Sequence, residues 1–183
     1  MLFRLVPHPS SPSTAIDKVE GEIRPAGPTT LLIKYLVVGR VRQMRLPPPA
    51  TAQRRDGLWQ HTCFEAFIGS PEGEAYYELN FSPSSEWAAY RFDSYRGGMR
   101  EAGEFPAPSI MLRDGETRIW ELRTKIDLGA LAAEGRPWRL GLSAVIEEKD
   151  GTKSYWALAH PPGAPDFHRR DCFALELPPP EAS

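Results

Sequence analysis

Residues 62–92 read TCFEAFIGSPEGEAYYELNFSPSSEWAAYRF. Three runs rich in aromatic residues are cut by two turn signals, SPEG and SPSS. Such spacing marks strands joined by short connections. Side chains of a strand alternate between its two faces. Phe64, Ala66 and Ile68 therefore share one face of the first run, and Cys63, Glu65 and Phe67 the other. In the second run Tyr77, Leu79 and Phe81 form an apolar face, opposed by Tyr76, Glu78 and Asn80. The three runs fix an antiparallel sheet with one core face. Every remaining segment is read by asking whether it extends that sheet.

Most segments do. TTLLIKYLVVG (29–39) is apolar and β-branched and ends in glycine, and RVRQMRL (40–46) stops at three prolines. SIMLR (109–113) and TRIWELRTKI (117–126) flank the hairpin signal DGE. WRLGLSAVIEE (138–148) and TKSYWALA (152–159) flank KDG. DCFALEL (171–177) closes the series, and 178–183 are expected to form a disordered tail. Trp120, Leu122 and Ile126 face the core, as do Trp138, Leu140, Leu142, Ala144 and Ile146. Gly141 and Ser143, on the opposite face, leave room above the sheet for a ligand or a crossing loop. Only DLGALAAEG (127–135) reads as helix, capped by Asp127 and ended by Gly135. This pattern predicts an all-β protein: a two-sheet antiparallel β-sandwich, jelly-roll-like, with one short helix, in a single domain over 1–183.

Composition sets the bounds. The chain has 183 residues, 41% hydrophobic and 25% charged, enough to build a core without staples. A formal net charge of −2 offers no basis for binding nucleic acid or an anionic membrane. Nineteen prolines are incompatible with long helices. Two cysteines form neither a disulfide framework nor a metal knuckle. No signal peptide or membrane-spanning run is read, so a cytoplasmic location is expected. The oligomeric state is left open.

Three constellations carry chemistry. His61, Cys63 and Glu65 recur at every second position, a row that could bind metal, activate a nucleophile, or form the polar face of an ordinary strand. A straight row does not bring a third ligand to one ion easily, so the polar face is favoured and no metal is expected. Glu78, Asn80 and Arg91 offer acceptors and a donor fork to sugar hydroxyls, with aromatic residues around them. WALAHPPGAPDFHRRD (156–171) is a proline-stiffened loop bearing His160, Asp166 and His168. It could hold a site, or its polar side chains could bond its own backbone. No GxSxG, HExxH, P-loop or GxGxxG motif announces an enzyme.

GLWQHTCFEAFIG (57–69) resembles a strand of the family 9 carbohydrate-binding modules and the related DOMON-like domains. YYELNFSPSSEWAAYRFDSYR resembles the next two strands of that group, and 155–177 its closing segment. The resemblance implies a β-sandwich that binds a small ligand without catalysis, in the first instance a carbohydrate on a concave sheet face. It places Glu65, Glu78 and Asn80 at the ligand, with Trp59 and Trp156 as aromatic walls. With Arg91 and His168 from the constellations above, these are the expected ligand-binding residues; none is expected to be catalytic. The alternative within the group is a haem-binding or redox module, with Met99, His160 or His168 as axial ligand; otherwise no cofactor is expected. A further alternative is an enzyme using the 156–171 loop.

Overall fold

The computed structural model describes residues 1–114, 117–132 and 137–177. Among the described residues twelve strands pair antiparallel in one continuous, curled sheet. They are β1 (Leu2–Pro7), β2 (Ile16–Pro25), β3 (Thr30–Gly39), β4 (Cys63–Gly69), β5 (Tyr76–Phe81), β6 (Trp87–Phe92), β7 (Arg100–Glu101), β8 (Ser109–Asp114), β9 (Ile119–Asp127), β10 (Trp138–Glu147), β11 (Lys153–Ala157) and β12 (Leu175–Leu177). Their order is β7-β6-β5-β4-β10-β11-β1-β2-β3-β9-β8, with β12 paired to the start of β10. β1 is the hinge of the curl. Its residues Leu2–Leu5 pair with β2, and Val6–Pro7 pair with β11.

Curling brings the two halves of the sheet face to face over one core. Phe64 of β4 stacks on Trp120 of β9 with ring centroids 5.4 Å apart, and Tyr35 of β3 meets Phe64 at 5.0 Å. The Tyr35 hydroxyl donates to the Glu65 carbonyl at 2.7 Å, so it enters the core with its polar tip satisfied. The inward residues expected of β4, β5, β9 and β10 all lie in or against this core. Gly21 of β2 is required by close approach: a Cβ there would collide with the Lys34 carbonyl and the Phe3 ring.

β1 and β2 are strands that the apolar pattern does not announce. In IDKVEGEIRP the buried Ile16, Val19, Gly21 and Ile23 are interleaved with charges, so the apolar signal is diluted. Residues 40–46, expected as a strand, are not one: Val41–Gln43 form a 3-10 turn and Met44 bridges to Glu148. β3 already has β2 and β9 on its two edges, so no edge remains for a further strand. The KDG turn is present, with Gly151 at φ 89° and Asp150 accepting from the Thr152 N–H at 2.9 Å. Helix α1 spans Gly129–Ala132, with Asp127 accepting from the Gly129 N–H at 2.8 Å. Gly135, the centre of the DGE turn and the 178–183 tail lie outside the described residues.

A second buried contact pins the loop between β1 and β2. The Glu148 carboxylate accepts from Ser13 Oγ (2.7 Å), Thr14 N (3.2 Å), Thr14 Oγ1 (3.0 Å) and Ala15 N (3.3 Å). Truncation would remove the acceptor of the Thr14 N–H and of two hydroxyls, leaving the Ala15 N–H to Ser13 Oγ at 3.2 Å. Glu148→Ala is expected to cost about 2 kcal/mol in urea unfolding; an unchanged midpoint would show the loop is held by something else.

Candidate functional site

The half of the sheet containing β6, β5, β4, β10 and β11 is covered on both faces. β4 is buried at every one of its residues, Cys63 and Glu65 included. The row expected to be a ligand- or solvent-facing strand face is therefore buried, with Cys63 and Glu65 in the floor of an interior site. His61 does not belong to it: it precedes β4, and its Nδ1 lies 2.8 Å from the Glu147 carboxylate. Among the described residues no three His, Cys, Asp or Glu side chains form a group that could hold a metal.

The floor is built by register. Glu65 lies opposite Asn80 of β5 on one side and Ser143 of β10 on the other. Ser143 Oγ donates to Glu65 Oε2 at 3.0 Å, and Asn80 Nδ2 donates to Glu78 Oε1 at 2.8 Å. Glu65 and Glu78 are diagonal neighbours on one face, with side chains 2% and 6% exposed as residues.

The cover is the segment after β11. It lies close to the sheet because Gly141 has no side chain; a Cβ there would stand 2.9 Å from the Phe173 ring. His168 packs edge-on against Phe67, Tyr76 and Phe92, with Nδ1 2.8 Å from the Tyr76 hydroxyl and Nε2 3.7 Å from Glu78 Oε2. Asp166 latches the segment, accepting from Tyr95 Oη (2.5 Å), Arg96 (2.9 Å) and the His168 N–H (3.1 Å). Arg96 sits in the left-handed region at φ 52°, and its N–H donates to the Tyr76 hydroxyl at 3.2 Å. A non-glycine residue there is strained and is held by its surroundings.

Between floor and cover lies a cavity of about 500 Å³. Glu65, Glu78 and Arg96 supply its charged groups; Tyr90, Phe92, Tyr155 and Phe167 supply apolar wall. Trp59 and Met99, 52% and 57% exposed, stand at its mouth. Trp59 is placed by the 3-10 turn Leu58–Gln60, entered through Gly57 at φ 75°. A second hollow of about 800 Å³, floored by Pro47–Pro49, shares Trp59, Tyr90 and Met99 with the first.

Burial governs the electrostatics. Desolvation, reinforced by the Glu78 charge, pushes the Glu65 carboxyl up to about 8, against the opposing Ser143 hydrogen bond and the Arg96 charge. Desolvation also raises Glu78, opposed by Asn80 and Arg96. Desolvation and then Arg96 press His168 down to about 4, so its imidazole is neutral near pH 7. For Asp166 burial works upward, but the Tyr95 and Arg96 hydrogen bonds outweigh it and hold the carboxyl below its ordinary range. Glu65 on the floor thus holds a proton at neutral pH, and the latch holds a charge.

Of the expected binding residues, Trp59, Glu65, Glu78 and His168 line this cavity, and Asn80 lies beneath it on Glu78. Arg91 and Trp156 do not reach it. Arg91 is opposite Tyr77 in the β5–β6 ladder, on the core face, with its guanidinium 5.6 Å from the Tyr77 ring centroid. The cation near Glu78 is Arg96 instead. Trp156 pairs with core-facing Ala144 and is 2% exposed, its Nε1 donating to Ser154 Oγ at 2.9 Å. Tyr90 and Phe92 could have been found from the period of β6, since they alternate with Trp87 and Arg91. Arg96 lies in a glycine-rich loop that carries no periodic signal.

No family profile matches the sequence, and no curated protein aligns with it. Solved structures do resemble the fold. One is a protein of Bacteroides uniformis ATCC 8492 proposed to bind carbohydrate: TM-score 0.65, 16% identity, covering 94% of this chain and 83% of that one. Another is a family 9 carbohydrate-binding module of Caldicellulosiruptor kristjanssonii in complex with glucose: TM-score 0.48, 12% identity, covering 84% and 72%. The same module with cellotriose gives the same score and identity, covering 84% and 70%. At these identities the likeness is one of fold.

Proposed function

We propose that the cavity binds a carbohydrate and leaves it chemically unchanged, on a curled sheet that works as a two-sheet sandwich. The supporting observation is an exposed indole, Trp59, at the mouth of a cavity whose floor is two buried carboxyls. Sugar rings offer an apolar face to an aromatic ring and hydroxyls to placed acceptors. The B. uniformis protein, with its suggested carbohydrate-binding role, agrees with this reading. The haem alternative has no comparable support: the B. uniformis protein that shares the fold is described as carbohydrate-binding. Catalysis by the 156–171 loop finds Asp166 committed to Tyr95, Arg96 and its own backbone. Burial pushes the Cys63 thiol up, away from the reactive thiolate.

Calorimetry against a broad panel of mono- and disaccharides tests the proposal, and silence across the panel would overturn it. Trp59→Ala is expected to weaken binding about tenfold or more. Because Trp59 is half exposed, the variant should keep its fold; unaltered affinity would remove Trp59 from the site.

A further inference from the structure

Two carboxyls, Glu65 and Glu78, share the cavity lining with Arg96, and among the described lining residues that guanidinium is already engaged by Asp166 at 2.9 Å. His168 is the remaining basic group in contact, 3.7 Å from Glu78, and burial keeps it neutral. Each floor carboxyl has one oxygen satisfied: Glu65 Oε2 by Ser143, Glu78 Oε1 by Asn80. Among the described residues the second oxygen of Glu65 accepts no hydrogen bond. That of Glu78 meets only His168, beyond hydrogen-bond distance. Neither of these second oxygens is sealed in protein: both are accessible from the cavity, where one donor on a ligand could reach the pair.

The walls favour the same kind of occupant. Aromatic rings attract a cation over their faces, and Trp59, Tyr90, Phe92, Tyr155 and Phe167 surround the space above the carboxyls. A neutral sugar would gain from the rings and could donate hydroxyls to the carboxyl oxygens, but only a cation would also favour their ionised form.

We infer that the ligand carries a cationic nitrogen seated over Glu65 and Glu78, so that the sugar bound is an amino sugar. The inference rests on the carbohydrate reading of the same cavity. Seating an ammonium group favours the ionised carboxylates. The proton that burial and mutual repulsion keep on the pair then passes to the buffer, and no covalent bond changes. Binding should therefore be accompanied by the release of about one proton near pH 7.

Calorimetry of the full chain at pH 7 with glucosamine, glucose, N-acetylglucosamine and tetramethylammonium decides the matter, run in two buffers of different ionisation enthalpy. Glucosamine is expected to bind about tenfold or more tighter than glucose or N-acetylglucosamine, with a buffer-dependent enthalpy that reports proton release. Glu65→Gln should bring the glucosamine-to-glucose ratio near one; the buffer dependence is read on the unaltered protein and does not rely on that variant. Equal binding of glucosamine and glucose without proton release would overturn the cation seat and leave the carbohydrate reading standing. Binding of tetramethylammonium with none of the sugars would uphold the seat and overturn the carbohydrate reading. Silence from all four would overturn both.

Discussion

Phe64→Ala should lower the stability of the protein by about 3–5 kcal/mol, the usual cost of removing a fully buried phenyl ring. Phe64 has no exposed surface, lies on the central strand β4, and touches both Tyr35 and Trp120 across the core. Those two rings belong to the other half of the curled sheet. The ring therefore joins the halves, and its loss leaves a void that neither strand can close, because ladders on both sides of β4 fix its position. Urea unfolding followed by tryptophan fluorescence measures the cost, with a fall in melting temperature of roughly 10 °C as a second readout. A loss below about 1 kcal/mol would mean that the halves do not pack as described.

Raising the pH from 6.5 to 8 should destabilise the protein by about 2 kcal/mol. Glu65 titrates near 8 when folded, against an ordinary value of 4.5. The folded state thus holds a proton that the unfolded chain gives up. The resulting stabilisation is complete below pH 4.5 and is lost as the pH climbs through 8. Glu78, also raised, acts in the same direction. His168 acts oppositely: held near 4 against an ordinary 6.5, it adds stability as the pH rises between those values. From pH 4.5 to 6.5 the two trends offset each other. Above 6.5 only the carboxyls remain, and the decline begins. Glu65→Gln should flatten it. Stability that rises across pH 6.5–8, or a decline that survives in Glu65→Gln, would place the ionising group elsewhere.

The period of two between residues 62 and 92 was enough to sort both faces of β4 and β5 correctly. It could not reveal that both faces are buried. Cys63, Glu65, Tyr76 and Asn80 read as a face open to ligand or solvent, and what covers it is a segment some ninety residues away in sequence. Its approach was legible only as the small residues Gly141 and Ser143. Trp156 was misplaced for a related reason. In SYWALA polar and apolar residues do not alternate cleanly, and the pairing of Trp156 with Ala144 decides its face. Arg91 failed by one position of alternation: a strand partner of Glu78's neighbour points away from Glu78. β1 and β2 were lost among charges whose stems lie along a half-exposed surface.

The joint made by β1 also orders events in time. Val6 pairs with Ala157 and Pro7 with Trp156, contacts that span most of the described chain. β4 likewise waits for β10, about eighty residues later. Closing such long loops is entropically expensive before the contacts form, and topologies rich in them fold slowly. On the ribosome, β1 to β3 emerge long before β11, so the curl cannot close while the middle of the chain is being made. During that interval the aromatic faces of β4, β5 and β6 lack β8 and β9 of the opposing half, the β10–β11 link to it and the segment that roofs them. That is the period in which this protein is most exposed to mispairing with other chains.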